Sequence, residues 1–87
     1  MGGLMYILTS KKSGGVYAIE NKDRIKTVQM FVDKDDAVRY HGLLLADDYR
    51  EPLEVTEVDE NSVIENCNVF GYKYCIIEPN DFVVPPR

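Results

Sequence analysis

The chain reads as an α+β domain: a three-stranded antiparallel meander followed by αβαβ, with two helices packed on one face of a single mixed or antiparallel sheet. Three observations predict it. Short apolar runs over residues 4–9, 16–20 and 26–32 are separated by turn-rich clusters. Residues 28–49 pass from alternating apolar positions into helical spacing through the acidic sequence DKDD. A second helix signature, from Asp59 to Gly71, lies between two further strand-like runs.

Residues 4–9 form a continuous apolar strand that suits a central place in a sheet. Lys11-Lys12-Ser13-Gly14-Gly15 interrupts it, and the Gly-Gly pair favours a tight reversal into residues 16–20. Asn21-Lys22-Asp23-Arg24 is a second turn. In residues 26–32, Val28, Met30 and Val32 share one face while Thr27, Gln29 and Phe31 share the other.

Asp33 is placed to cap the first helix, and Asp35 and Asp36 oppose the positive end of its dipole. At helical spacing Ala37, Val38, Tyr40, Leu44 and Leu45 make one wide apolar arc. Gly42 weakens the helix interior, and its missing side chain is expected to let a strand or a partner backbone approach closely. Glu51-Pro52 ends the element, because a residue before proline is biased out of the α region.

Residues 53–58 alternate weakly and carry Glu, as suits an edge or half-exposed strand. Asp59 caps a short second helix with Val63, Ile64, Cys67 and Phe70 as its buried stripe, and Gly71 fits a left-handed C-cap. Residues 72–77 are the last strand, followed by a turn at Glu78-Pro79-Asn80-Asp81 and an extended tail, Phe82-Val83-Val84-Pro85-Pro86. The elements make one domain over residues 4–87, and residues 1–3 read as an appended remnant.

A chain of 87 residues is near the lower end of what builds a self-sufficient core, so self-association into a homo-oligomer is an expectation. Its net charge of −5 is unevenly spread. Residues 1–43 carry seven Lys/Arg against five Asp/Glu, and residues 44–87 carry three against ten, so the halves stand at +2 and −7. That balance opposes broad nucleic-acid binding and permits an acidic surface that meets a protein partner with a basic one. Two cysteines make no disulfide scaffold, no signal peptide is legible, and no apolar run approaches the roughly 20 residues that span a bilayer. The expected setting is cytoplasmic and away from membranes.

The acids Asp47, Asp48, Glu51, Glu54, Glu57, Asp59, Glu60 and Glu65 have only Arg50 to balance them. Their plain reading is a solvated face; the functional one is docking to a basic surface, with Glu54, Glu57, Glu60, Asp47 and Asp48 as the contacts. His41, the single histidine, falls in the apolar arc near Asp48 in helical phase. It reads as a partly buried histidine with a local partner or one at a self-association surface, or alternatively as the centre of a small-ligand or enzymatic site tuned by that carboxylate. Cys67 and Cys75 have neither redox-motif nor zinc spacing, and Cys67 reads as a core thiol.

Asp33, Asp35 and Asp36 fail the calcium-loop pattern, since its sixth and twelfth positions hold Val38 and Leu44. No metal or cofactor is implied. Lys11, Lys12, Lys22, Arg24 and Lys26 cluster around the first two turns, where a basic tip could touch nucleic acid weakly; no exposed aromatics are expected between the charges, since the strand tyrosines read as sheet filling. Gly14-Gly15 lacks the spacing of a phosphate loop, and no nucleophile–base–acid set is legible.

The run MFVDKDDAVRYHGLLLADDY, together with Pro52, Val63-Ile64, Cys67, Gly71-Tyr72 and the Phe82…Pro85-Pro86 ending, resembles a family of small proteins of unknown function. They occur in cyanobacteria, plastids and the phages that infect cyanobacteria, and the resemblance extends over nearly the whole chain from Met5. It implies a compact stand-alone domain in a photosynthetic or phage-infected bacterial cytosol. It implies no activity, and no catalytic or binding residue transfers. The expected function is therefore a non-enzymatic interaction or regulatory module working through its acidic helix–strand segment.

Overall fold

The computed structural model describes residues 3–20 and 22–79. The elements run β1 (Leu4–Ser10), β2 (Ala18–Glu20), β3 (Lys26–Phe31), α1 (Lys34–Ala46), β4 (Leu53–Asp59), α2 (Glu60–Phe70) and β5 (Lys73–Ile77). The α+β class, the single sheet and the two helices are those the sequence predicts. The tail over residues 82–86 lies outside the described residues.

The five strands form one sheet in the order β2-β3-β1-β4, with β5 on the other side of β3. β1 and β4 pair antiparallel along their full length, from Leu4↔Asp59 to Ser10↔Leu53. β3 meets β1 antiparallel at Tyr6↔Phe31 and pairs in parallel with β5 from Thr27↔Lys73 to Phe31↔Ile77. The expected meander is not formed as a simple series. β2, only three residues long, pairs with β3, and the segment before it meets β1 through the bridge Thr9↔Val16. A strand so short cannot separate β1 from β3 along their length, and β1 takes β4 as its main partner.

Period-two alternation assigns each strand residue to a face. Tyr6, Leu8, Phe31, Leu53 and Ile77 face α1, where they gather with Ala37, Tyr40 and Leu44. Met5, Ile7, Val28, Met30 and Val58 face the other way, toward Val63 and Cys67 of α2. The helices therefore cover opposite faces of the sheet. This corrects the expectation of two helices on one face, and the reason is topological. β3 and β4 are both antiparallel to β1, and β5 is parallel to β3, so β3, β4 and β5 all run in the same direction. The crossover from β3 through α1 to β4 travels one way across the sheet, and that from β4 through α2 to β5 travels back. Right-handed crossovers in opposite directions put their helices on opposite sides.

Both helices begin and end as their local chemistry dictates. Asp33 accepts a hydrogen bond from the Asp35 N–H at 3.0 Å, and Asp59 accepts from the Ser62 N–H at 3.1 Å. Gly71, at φ 73°, closes α2, and the Tyr72 N–H donates back to the Cys67 carbonyl. α1 ends at Ala46, earlier than Pro52 suggested, through the same device. Asp48 takes φ 62°, the Asp48 N–H donates to Leu45 O and the Tyr49 N–H to Leu44 O. That is a Schellman closure with aspartate in the position glycine usually fills.

The buried faces are narrower than the apolar arcs. In α1, Ala37, Tyr40 and Leu44 are buried, whereas Val38 and Leu45 are 50 % and 57 % exposed. In α2, Val63 and Cys67 are buried and Phe70 is 69 % exposed. A helix lying on a flat sheet buries only the side that touches it, and each arc extends past that contact. Gly42 lies on the exposed side, where an added Cβ would meet no atom within 4 Å. No strand of the described residues approaches it, contrary to the first of the two approaches expected.

Candidate functional site

Beneath α2 a groove of about 660 Å³ opens against the sheet. Ile7 and Val28 form its floor, Val63, Cys67 and Phe70 of α2 one wall, and the turn at Gly14, Gly15 and Val16 a lip. The floor follows from alternation, since both residues sit on the α2 face of adjacent strands. Phe70 and Val16, the latter 43 % exposed, leave apolar surface at the rim. Of the residues lining the groove, Lys26 alone is charged, and its Nζ lies 5.7 Å from the centre of the Tyr72 ring.

Lys26 and Tyr72 also border a second, smaller cavity of about 220 Å³, whose other walls include Tyr17, Tyr49 and Glu51. The two helix closures deliver these aromatics: Tyr49 follows Asp48 and Tyr72 follows Gly71. The Tyr17 ring packs edge-on against Tyr40 and Tyr49 at 5.9 and 5.6 Å between centroids. Tyr17 and Tyr40 share a hydroxyl–hydroxyl hydrogen bond of 3.3 Å. Burial, then the bond to Tyr17, holds the Tyr40 phenol far above its ordinary value, so it stays neutral. Burial, then the neighbouring Glu51 carboxylate, raises Tyr49 as well.

The acids singled out from the sequence spread along β4 and the helix ends. Glu54 and Glu57 are exposed and, three residues apart in a strand, project from opposite faces of β4. Glu57 accepts a hydrogen bond from the Tyr6 hydroxyl at 3.3 Å, and burial together with that carboxylate raises the Tyr6 phenol. Glu60 opens α2, its N–H donating to Gly3 O. Asp47 and Asp48 are exposed at the end of α1, where Asp48 makes the left-handed turn.

His41 is half-buried on α1 and lines neither cavity. Cys67 is buried and Cys75 exposed, both free; Cys75 pairs with Gln29 on the α1 face, so the two thiols lie on opposite sides of the sheet. Burial pushes the Cys67 thiol up, which suits the core role expected of it. Lys11, Lys12, Lys22, Arg24 and Lys26 are all exposed. Among the described residues no group of His, Cys, Asp and Glu is arranged to hold a metal ion, and no helix is long and apolar enough to cross a membrane.

A family model matches residues 4–87. The chain belongs to the DUF3110 family, a domain of unknown function. Neither the curated proteins nor the solved structures gave a match. In this DUF3110 chain the groove residues Val16, Phe70 and Tyr72 were not singled out by sequence reasoning as a site. Their signal was present but ambiguous: a strand fragment after Gly-Gly, and a helix stripe whose last member overhangs the core. Only the assignment of α2 to its own face brings them together.

Proposed function

We propose that this chain is a non-catalytic interaction module that docks a basic protein segment along the outer edge of β4. One observation carries the reading. β4 pairs with β1 on one side and, among the described residues, with no strand on the other, while Glu54 and Glu57 stand on its two faces. An extended segment rich in Lys or Arg can hydrogen-bond to that open backbone while its side chains meet the carboxylates. No Lys or Arg of the described residues lies within ion-pair distance of Glu54, Glu57 or Glu60; the pair at 3.6 Å joins Arg39 to Asp36 on α1. The same acids repel a second copy of the edge, which favours a different chain as partner. The setting proposed for this work is a bacterial or phage-infected cytosol, as the resemblance implies.

The test is capture from such a lysate with the native chain and with a Glu54→Lys/Glu57→Lys variant, after circular dichroism shows both folded. The reading expects a partner that the native chain retains, the variant loses and raised salt releases. Identical partners for both proteins overturn it.

A further inference from the structure

We propose that the groove beneath α2 binds a small amphipathic molecule with an apolar body and one anionic head group, of the kind represented by a medium-chain carboxylate. Its size, about 660 Å³, falls within the roughly 300–1,000 Å³ typical of small-molecule sites. Ile7, Val28 and Val63 are already buried at its base, so the apolar surface to be covered is that of the exposed rim residues Val16 and Phe70, which lose water when an apolar body settles on them.

Charge fixes the head group. Lys26 is the sole ionic side chain in the lining, and its ammonium lies over the Tyr72 ring. Glu20 faces Lys26 across the β2–β3 ladder, yet it makes no ion pair with it and does not line the groove. A carboxylate entering beside Tyr72 therefore meets an ammonium with no acid bound to it, and a cationic or neutral head meets nothing equivalent. A peptide fits less well. Its backbone brings a donor and an acceptor per residue, and the groove supplies only Thr9, Ser62 and Asn66 besides Lys26 as polar side chains, with Tyr72 and the Cys67 thiol. The site is independent of the β4 edge, so neither proposal stands or falls with the other.

The test titrates the whole chain with octanoate, octanol and octylamine while backbone amide resonances are followed by NMR. Octanoate is expected to shift the amides of Ile7, Val28, Val63 and Phe70 and to bind at least tenfold tighter than the other two. Lys26→Gln, at an exposed position, should weaken octanoate about tenfold and leave octanol unchanged. Asn66→Trp, which fills the groove from its exposed wall, should abolish octanoate binding. The proposal is overturned by equal affinity for the three probes, by octanoate binding that Lys26→Gln leaves intact, by shifts confined to the α1 face, or by no binding.

Discussion

Ile7 and Leu8 are adjacent in β1 yet belong to different cores: Ile7 gathers with Val63 and Cys67 under α2, Leu8 with Tyr40 and Leu44 under α1. One peptide bond separates the two halves of the hydrophobic interior, and the sheet is the wall between them.

That separation predicts additivity. Ile7 and Ile77 are both buried, on opposite faces and on strands that do not pair. Ile7→Val and Ile77→Val should each cost about 0.5–1.5 kcal/mol. The double variant should lose their sum to within about 0.5 kcal/mol, read by urea denaturation. A coupling above about 1 kcal/mol would show one shared core instead.

Three positions differ in sign by backbone angle. Gly42→Ala removes an unneeded glycine from an exposed helix interior and should stabilise the fold by about 0.5–1 kcal/mol. Asp48→Gly relieves a left-handed residue and should also stabilise, by a similar amount. Gly71→Ala, at φ 73°, should destabilise by about 1 kcal/mol. Thermal unfolding of the three variants checks the pattern.

The cap of α2 has a defined chemistry. Asp59 accepts from both the N–H and the hydroxyl of Ser62, at 3.1 and 3.2 Å. Asp59→Ala should cost about 1 kcal/mol, and Asp59→Ser should recover most of it, since either oxygen acceptor serves the cap. Equal loss in both variants, measured by urea denaturation, would mean that the carboxylate has another role.

Alkaline pH should unfold the chain through Tyr40. Its phenol is held neutral in the fold and ionises near its ordinary value of 10.0 when unfolded, so the unfolded state releases its proton first. The stability this neutral phenol contributes is complete below about pH 10 and declines as pH rises further. Tyr40→Phe should lose stability less steeply above that point than the native chain does, as seen in denaturation curves across the alkaline range. Tyr6 and Tyr49, raised in the same direction, keep some slope in the variant.

Local signals in the sequence located nearly every element. Asp33, Asp59 and Gly71 mark helix ends by side-chain chemistry and backbone freedom, which act within a few residues. The arrangement was less legible, because strand order and helix side depend on crossovers between elements far apart in the chain. Phe70 shows the limit: its helical phase matches Val63 and Cys67, yet as the last residue of α2 it is left exposed. The acids of residues 47–60 were legible as charge; the strand expected over residues 53–58 already parts Glu54 from Glu57, but which helix each faces depends on the crossovers. The groove was not legible, as its residues come from three separate stretches of the chain.

The two helices roof the middle of the sheet and leave Tyr74, Cys75 and Ile76 of β5 uncovered. Among the described residues, newcomers find room at the perimeter: along the unpaired edge of β4, over β5, or through the gap where a roof overhangs. Evolutionary change at the fringe could thus alter what this small scaffold recognises without disturbing the two interiors that hold it together.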